Sequence, residues 1–448
     1  NFAIDYTHKL ELAGQTQFKG YHSLTHSGAV MALILDGQIT QSVSQTGSIQ
    51  LVLDSTSFYA ESGGQTGDHG VVEWPDGCMQ VTDTQKQGQH IIHYGRLIKG
   101  QLSIGDLVTT RVNEGFRSDS AKNHSATHLL HQAMRQVLGD HVTQKGSLVD
   151  ADRLRFDFSH PEPVALLQLA EVESMVNQEI RDNTMVASET MAIDAAKAAG
   201  AMALFGEKYG DQVRVITMGT AHTDDQTAQA QQVFSLELCG GTHVQRTGDI
   251  GAFVIISEAG VAAGVRRVEA LTGVAASAWL ATTGNTLAAV SGLVKASRDQ
   301  VTDKVQALID KNRQLERELD QLKAKMAASQ GADLISQAED INGVKVLISQ
   351  LEGVKAKSLR DAIGHLSSKL GSGIVMLAVT QGDKASIVAT VTQDLTNKVK
   401  AGDLIRHTSA SMSGKGGGRP DMAQGGGQAD QLNQALESAQ VWLHELLT

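Results

Sequence analysis

The sequence predicts a multidomain α+β protein, and three patterns support that fold class. Short apolar runs broken by Gly and Asp come first, amphipathic helical patterns follow them, and strand-like runs alternate with helical ones near the carboxyl end. We expect a small β-barrel domain over 1–115, an α+β domain over 116–275, a long heptad helix over 276–330 and an α/β domain over 331–448.

The first two regions follow from local patterns. MALILDGQIT, GSIQLVLD and VVEWPDGCMQV are short strand-like runs, the last with a Pro-Asp-Gly turn at its centre, which is typical of a small barrel or sandwich. Beyond residue 115, SAKNHSATHLLHQAMRQVLG has helical periodicity, RLRFDFSH and VRVITMG are strand-like, and VALLQLAEVESMVNQEIRDN is a helix that Pro163 opens. This mixture predicts an α+β domain after the barrel.

The third region carries a heptad pattern surrounded by Glu, Lys and Arg. One long helix packed against its own protein fits this pattern, and so does pairing between two chains. A single Asn in such a seam is a known register device, which slightly favours a homodimer through residues 276–448. The seam residues are Val294, Val301, Val305, Leu308, Leu315, Leu319, Leu322 and Met326, with Arg298 and Asn312 in the remaining positions.

The fourth region contains the strand-like runs VKVLISQL, GIVMLAVTQ and SIVATVTQ, and then the Gly-rich segment SMSGKGGGRPDMAQGGG. From Lys355 to Arg419, 10 Lys and Arg stand against 4 Asp, a local excess of six positive charges. The backbone N–H groups of a Gly-rich loop can approach phosphate, whereas Gly runs are equally typical of a disordered loop. Composition leaves both readings open.

Composition also limits the class of protein. The net charge of −11 argues against a protein that coats nucleic acid non-specifically. No apolar stretch is long enough to span a membrane. Two cysteines cannot build a disulfide framework, so we expect a reducing cytoplasm. The amino end has neither a signal peptide's pattern nor an initiator Met, so we expect a fragment of a longer protein.

The motif NHSATHLLH is the first candidate for chemistry. His124 and His128 are four residues apart on a predicted helix, so both imidazoles project from one face, which His131 could share. The metalloprotease pattern with the same spacing requires Glu directly after the first His. Ser125 stands there, which excludes peptide hydrolysis of that type.

The motif ELCGGTHV supplies two further candidates. Cys239 and His243 are four residues apart across Gly240 and Gly241, a flexible turn that lets a thiolate and an imidazole converge. Together with the histidine pair they form a set of N and S donors that suits zinc, so we predict one Zn²⁺ site. A buried Cys with unrelated surface histidines is the alternative.

Seven segments carry a resemblance to a known family. NHSATHLLH, VTQKGSLVDADRLRFDFSH, AMALFGEKYG, ELCGGTHVQRTGDIGAF and AAGVRRVEALTG closely resemble the editing domain of bacterial alanyl-tRNA synthetase. DSTSFYAESGGQTGDHG resembles the β-barrel domain that precedes it in that family. GKGGGRPDMAQGGG resembles the family's carboxy-terminal domain, which is related to a domain attached to DHH-type phosphoesterases.

The resemblance implies the carboxy-terminal half of such a synthetase, without the class II aminoacylation site. No P-loop is present, because Gly416 follows Lys415 where Ser or Thr is required. We therefore expect that this chain alone does not charge tRNA, which alanine-driven ATP–pyrophosphate exchange would test.

The resemblance also implies an activity and its residues. The family's editing domain hydrolyses the ester that links serine or glycine to the alanine tRNA, so mischarged tRNA(Ala) is the expected substrate, with Cys239 in the catalytic set. Thr127 resembles the residue that senses the serine hydroxyl, although a helical Thr also back-bonds to a carbonyl. Gln144 and Ser147 resemble pocket residues. The residues expected to contact tRNA are Arg406, Lys415, Gly416, Gly417, Gly418 and Arg419.

Two features of this interpretation stay open. Four protein ligands would close a tetrahedral shell, as in structural sites, whereas a loosely bound His243 would leave a position for water or for the substrate's amino group. The chain could also be a freestanding deacylase that acts in trans, or a non-catalytic RNA-binding and dimerisation module with a structural zinc.

Overall fold

The computed structural model describes residues 14–202, 210–220, 233–352 and 356–448, with the backbone alone for residues 324–333. The chain separates into two compact units, residues 1–287 and 288–448. The mixed α+β class is confirmed, and the finer division into four domains stays a prediction. None of the helices in these ranges has the length and apolar composition that crossing a membrane requires.

Some predicted features lie outside the described residues. They are residues 1–13 of the barrel region, residues 203–209 of the segment AMALFGEKYG, Lys355, and the side chain of Met326.

The first unit begins with a β-barrel, as predicted. Its strands are β1 (Gln17–Phe18), β2 (Thr25–Leu35), β3 (Gln38–Thr40), β4 (Ser42–Val43), β5 (Gly47–Leu53), β6 (Ser55–Thr56), β7 (Gly70–Trp74), β8 (Gly77–Gln87), β9 (His90–Lys99), β10 (Leu102–Ser103) and β11 (Leu107–Val112). Six antiparallel strands close in the order β2, β5, β9, β8, β7 and β11, with β11 pairing back to β2, and β3 also pairs with β2. Leu33, Leu51, Val72 and Met79 belong to the buried core that fills the barrel.

An α+β region follows the barrel in the same unit, and its last helix continues past residue 287 into the second unit. Its elements are α1 (Glu114–Leu138), β12 (Gln144–Val149), β13 (Leu154–Ser159), α2 (Leu166–Asp182), β14 (Ala187–Ala192), α3 (Ile193–Ala198), β15 (Gln212–Met218), β16 (Ser235–Leu238), β17 (Phe253–Ala262), β18 (Val265–Thr272) and α4 (Gly273–Val294). The antiparallel sheet β12-β13-β18-β17 shares a core with α1 and α2, in which Leu130, Phe156 and Val172 are buried. A second antiparallel sheet has the order β14-β15-β16.

Two helix starts in this region follow from their caps. Asn113 accepts a hydrogen bond from the N–H of Phe116 at 3.0 Å and begins α1. The expectation that Pro163 opens α2 is wrong, because that helix begins at Leu166. The Gln168 side chain accepts the N–H of Ala165 at 3.1 Å, and this cap sets the start.

The predicted long heptad helix is interrupted. α4 ends at Val294, and α5 (Val301–Ile335) begins after a break, so the expectation of one continuous helix is wrong. Lys295 adopts a left-handed φ of 52°, and the N–H of Ala296 bonds to the carbonyl of Ser291, which is the geometry of a helix cap. The seam on α5 therefore begins at Val301. Four of its leucines are exposed in the single chain: Leu308, Leu315, Leu319 and Leu322.

The second unit ends in an α/β arrangement. Its remaining elements are β19 (Glu339–Ile341), β20 (Val344–Gln350), α6 (Leu359–Leu370), β21 (Gly373–Gln381), β22 (Lys384–Val391), α7 (Ala401–Ala410), β23 (Lys415–Gly418), β24 (Met422–Gln428) and α8 (Leu432–Leu447). One sheet has the order β19-β20-β21-β22-β24-β23, in which only β20 and β21 are parallel. Ile374 and Met376 pack with α7 and α8, whereas Val375 and Leu377 pack with α6, as the alternation of a doubly covered strand requires.

Candidate metal centre

The four predicted ligands lie together. His124, His128, Cys239 and His243 offer ligand atoms that all lie within 4.8 Å of one another. The rings of His124 and His128 are nearly parallel, with centroids 5.2 Å apart, as expected for neighbours one turn apart on α1. The Sγ atom of Cys239 is 3.3 Å from Nε2 of His124 and 3.3 Å from Nε2 of His243. Three imidazoles and one thiol form a donor set that zinc favours.

The turn that carries Cys239 is shaped by close contact with α1. A Cβ atom on Gly241 would lie 2.0 Å from Cε1 of His124, so only glycine fits there, whereas a Cβ on Gly240 would meet nothing within 4 Å. The Arg214 guanidinium donates to the carbonyl oxygens of Cys239 and Gly241 at 3.2 and 2.6 Å. These contacts fix the backbone from which the thiol projects.

Two of the histidines are held at Nδ1 by neutral groups. Nδ1 of His124 lies 2.8 Å from the amide oxygen of Gln65, and Nδ1 of His243 lies 3.1 Å from the hydroxyl oxygen of Ser125. When Nδ1 of an imidazole is engaged in this way, Nε2 is the atom left to bind a metal. Both Nε2 atoms face the thiol of Cys239.

The third histidine is held by a carboxylate. Nδ1 of His128 lies 2.5 Å from one oxygen of Glu237, and Nδ1 of His131 lies 3.0 Å from the other. Among the described residues, Nε2 of His128 and Nε2 of His131 are both buried without a hydrogen-bond partner, and of the two only Nε2 of His128 belongs to the group of close ligand atoms. A buried polar atom without a partner is costly, so this nitrogen fits a metal bound within the cluster. His131 supports Glu237 and lies outside the group of four ligand atoms.

The electrostatics of the cluster favour the charged forms of Cys239 and Glu237. Burial acts to raise the pKa of the Cys239 thiol, but His124, His243 and His128 outweigh it and hold that pKa well below its usual value. Burial also opposes the charge of Glu237, yet His128 and His131 lower its pKa to about 2. The thiolate is the form of cysteine that binds metals.

Three further predicted residues lie on the elements that flank the cluster. Thr127 is buried on α1, and its hydroxyl donates to the carbonyl oxygen of Asn123 at 2.8 Å, the back-bond expected of a helical Thr. Gln144 and Ser147 lie half-buried on β12. A Cβ on Gly64 of the barrel would lie 2.8 Å from the carbonyl oxygen of Ser147, so a barrel loop abuts this strand.

Sequence reasoning missed the residues that hold the ligands. Ser125 served only to exclude a protease, although it stands inside the histidine motif. Glu237 stands two residues before Cys239. An acidic residue inside the apolar run before the cysteine was a usable signal, and the structure shows that it is buried. No spacing rule points to Gln65, because it comes from the barrel.

The charged residues predicted to contact tRNA form no comparable buried cluster. Arg406, on α7, is 69% exposed at its side chain and pairs with Asp403 at 2.6 Å. Arg419 is 76% exposed and pairs with Asp421 at 3.2 Å. Lys415 is exposed at the start of β23. These cations are accessible to a partner.

The Gly-rich segment is a β-hairpin, so the alternative of a disordered loop is wrong, whereas contact of its backbone with phosphate stays a prediction. Gly416, Gly417 and Gly418 lie in β23, which pairs with β24. The glycines allow α7 to pack closely: a Cβ on Gly416 would lie 2.5 Å from Cγ2 of Ile405. A Cβ on Gly417 would meet nothing within 4 Å.

Three protein families match parts of the chain. Residues 1–116 match tRNA synthetases class II (A), residues 213–269 match the threonyl and alanyl tRNA synthetase second additional domain, and residues 343–445 match the DHHA1 domain. The second of these ranges includes Cys239 and His243.

The chain is similar along nearly its whole length to two curated relatives. The alanine–tRNA ligase of Saccharophagus degradans is 49% identical over 99% of this chain and 49% of that protein. The alanine–tRNA ligase of Pseudomonas syringae pv. syringae is 50% identical over 98% of this chain and 49% of that protein. The chain thus spans about half the length of these relatives.

Solved structures also match parts of the chain. The crystal structure of the C-Ala domain from Aquifex aeolicus alanyl-tRNA synthetase is 31% identical, covers 25% of this chain and 96% of that chain, and has a TM-score of 0.23.

Proposed function

Because the chain is homologous to alanine–tRNA ligases over 99% of its length, we propose that it is the editing part of such a ligase, a zinc-dependent deacylase of Ser-tRNA(Ala) and Gly-tRNA(Ala). The observation that carries the proposal is the buried cluster of His124, His128, Cys239 and His243. Two of these residues fall in the range that matches the second additional domain of threonyl and alanyl tRNA synthetases.

The protein's own contacts distinguish His128 from His243 by how firmly each ring is held. A carboxylate holds His128 at 2.5 Å, whereas a neutral hydroxyl holds His243 at 3.1 Å. Hydrogen bonds to charged groups are roughly twice as strong as neutral ones. His243 is also the one half-buried member of the cluster. It is therefore the ligand most readily displaced to leave a position for water or substrate.

A bound zinc ion supplies Lewis-acid polarisation of the ester carbonyl or an activated water. Residues of the chain would position the substrate. The hydroxyl hydrogen of Thr127 is already donated to Asn123, so the oxygen of Thr127 can only accept a further hydrogen bond. A serine hydroxyl can donate to it, whereas glycine has no side-chain donor. Gln144 and Ser147 on β12 would line the same pocket.

There is a clear physical reason for such a ligase to have a second site, separate from the site of aminoacylation, that hydrolyses wrong esters. Fit alone distinguishes amino acids that differ by one methylene by only about 1–3 kcal/mol, and it rejects an added hydroxyl poorly. Glycine and serine differ from alanine in these two ways. Hydrolysis of the wrong ester after transfer to tRNA removes the error.

For the second unit we propose tRNA binding. Its support is the local excess of positive charge between Lys355 and Arg419 and the exposure of Arg406 and Arg419. The exposed leucine seam of α5 supports a homodimer through residues 276–448. Light scattering of the purified chain tests the dimer.

The test of the activity is deacylation of Ser-tRNA(Ala) by the purified chain, with and without a chelator. We expect hydrolysis that a chelator abolishes and Zn²⁺ restores, and that Cys239→Ala abolishes while tRNA binding stays unchanged. The four mutually close donors also suit a closed structural zinc in an RNA-binding module. Bound zinc with no deacylation would favour that second candidate and contradict the first.

A further inference from the structure

A residue of the barrel contacts the cluster of His124, His128, Cys239 and His243. Gln65 is fully buried, and its amide oxygen lies 2.8 Å from Nδ1 of His124. The same oxygen accepts the backbone N–H of Thr242 at 3.0 Å, and the amide nitrogen donates to the hydroxyl of Thr242 at 2.8 Å. The Gln65 amide therefore forms hydrogen bonds both with His124 on α1 and with the turn that carries Cys239 and His243.

These contacts fix which atoms face each other. A backbone N–H can only donate, so Thr242 forces the oxygen of the Gln65 amide, and not its nitrogen, toward this position. An amide oxygen can only accept, so His124 must carry its proton on Nδ1. The lone pair of Nε2 is then left facing the cluster.

The loop that presents Gln65 is itself held. The N–H of Val149 donates to the carbonyl oxygen of Gly64 at 2.7 Å, and the N–H of Thr66 donates to the carbonyl oxygen of Val149 at 2.9 Å. Val149 ends β12, the strand of Gln144 and Ser147. The loop thus contacts three walls of the candidate site: α1, β12 and the cysteine turn.

A second barrel residue reaches the same turn. Tyr21 donates its hydroxyl to the carbonyl oxygen of Gly240 at 2.7 Å, and the guanidinium of Arg214 lies 4.2 Å from the centre of its ring. The turn is therefore held from the barrel at both Gly240 and Thr242.

We propose that Gln65 is a positioning residue of the metal centre, which selects the metal-binding tautomer of His124 and ties that ligand to the cysteine turn. The barrel and the α+β region then build the centre jointly. This inference rests on the proposed zinc site. Partners that orient a metal ligand typically contribute 10- to 100-fold to metal affinity.

The experiment compares three variants of the full chain. Gln65→Met keeps the length of the side chain but removes the amide, and Gln65→Glu keeps an acceptor for His124 and Thr242. Gln85→Met is the control, because the Gln85 amide also belongs to the barrel but bonds to Glu61 and Asp83. The first measurement is zinc affinity by competition with a chromophoric chelator. The second is the tautomer of His124 in the metal-free protein by ¹⁵N NMR.

We expect Gln65→Met to weaken zinc binding by about 10- to 100-fold and to release His124 from the Nδ1–H tautomer. Gln65→Glu should stay within a few-fold of the wild type, and Gln85→Met should change neither quantity. Unchanged tautomer and affinity in Gln65→Met, or an equal loss in Gln85→Met, would overturn the inference. A wild-type chain that binds no zinc would instead overturn the proposed function, and the tautomer measurement would still decide the role of Gln65.

Discussion

Glycine allows close packing in two different surroundings, the histidine and cysteine cluster of the first unit and the Gly-rich hairpin of the second. At the cluster, Gly241 lets a turn approach His124, so that buried donor atoms from α1 and from the turn converge. At the hairpin, Gly416 lets a strand approach α7, and the neighbouring cations Lys415 and Arg419 stay exposed. The same residue type brings ligands together in one place and packs a helix in the other.

The comparison shows that buried polar groups require hydrogen-bond partners, whereas exposed polar groups do not. Buried nitrogens need partners, so His124, His128 and His243 are each held at Nδ1 by another side chain. Exposed cations are solvated and need none, and their ion pairs are worth little. Arg419 therefore has no fixed geometry to reveal its role, whereas the geometry of the cluster indicates a group of donors that could hold a metal ion.

The largest effect is expected from Gly241→Ala. Its Cβ would lie 2.0 Å from Cε1 of His124 and 3.0 Å from the amide oxygen of Gln65, so the imidazole must move and its Nδ1 contact must break. Because losing an outer partner alone typically costs 10- to 100-fold, displacing a ligand should weaken zinc affinity and deacylation by about 100-fold or more. Chelator competition and Ser-tRNA(Ala) hydrolysis measure the two losses.

The matched control is Gly240→Ala. A Cβ there would meet nothing within 4 Å, so zinc affinity should stay within a few-fold of the wild type. If both variants lose zinc equally, backbone flexibility of the turn, and not its contact with His124, is what the glycines provide.

The next effect concerns Glu237→Gln. The carboxylate accepts from Nδ1 of His128 and of His131, and an amide can accept from only one of them. We expect zinc affinity to fall by about 10- to 100-fold, measured by competition with a chelator. Glu258→Gln is the control, since that carboxylate bonds to Arg266 on the neighbouring strand. Unchanged affinity in Glu237→Gln would show that His128 needs no anionic partner.

The ligands were predictable because each pair is encoded locally. His124 and His128 share a helix face, and Cys239 and His243 share one turn, so spacing alone indicates both pairs. The partners of those ligands were not predictable in this way. Gln65 is 59 residues from His124, and Glu237 is 109 residues from His128, so only the packed fold brings them together.

The fold shows the same limit at two elements. The strands over 344–350, 373–381 and 384–391 match the predicted apolar runs, because burial on both faces requires continuous apolar sequence. The heptad pattern did not reveal the break after Val294, since one left-handed residue, Lys295, ends α4 without disturbing the period. Composition did not separate a loop from a hairpin, because the packing of α7 decides that outcome.

A similar test applies to the hairpin. A Cβ on Gly425 would lie 2.2 Å from the hydroxyl oxygen of Ser409, so Gly425→Ala should overpack the contact with α7. We expect the free energy of unfolding of the second unit to fall by about 1–3 kcal/mol, measured by hydrogen exchange of the β24 amides. Gly417→Ala, which enters open space, should change it by less than about 0.5 kcal/mol. Equal losses would contradict the packing role.

The smallest effect is expected from Arg419→Ala. The side chain is 76% exposed and, within the described part of the chain, forms an ion pair with Asp421, so its loss should leave stability unchanged. If Arg419 contacts a tRNA phosphate, binding should weaken a few-fold, and the slope of log affinity against log salt should fall by about one. Arg313→Ala is the control, because Arg313 is an arginine on α5 that is 67% exposed at its side chain and pairs with Asp310. An unchanged slope in Arg419→Ala, or the same change in both variants, would remove the Arg419 side chain from the tRNA interface.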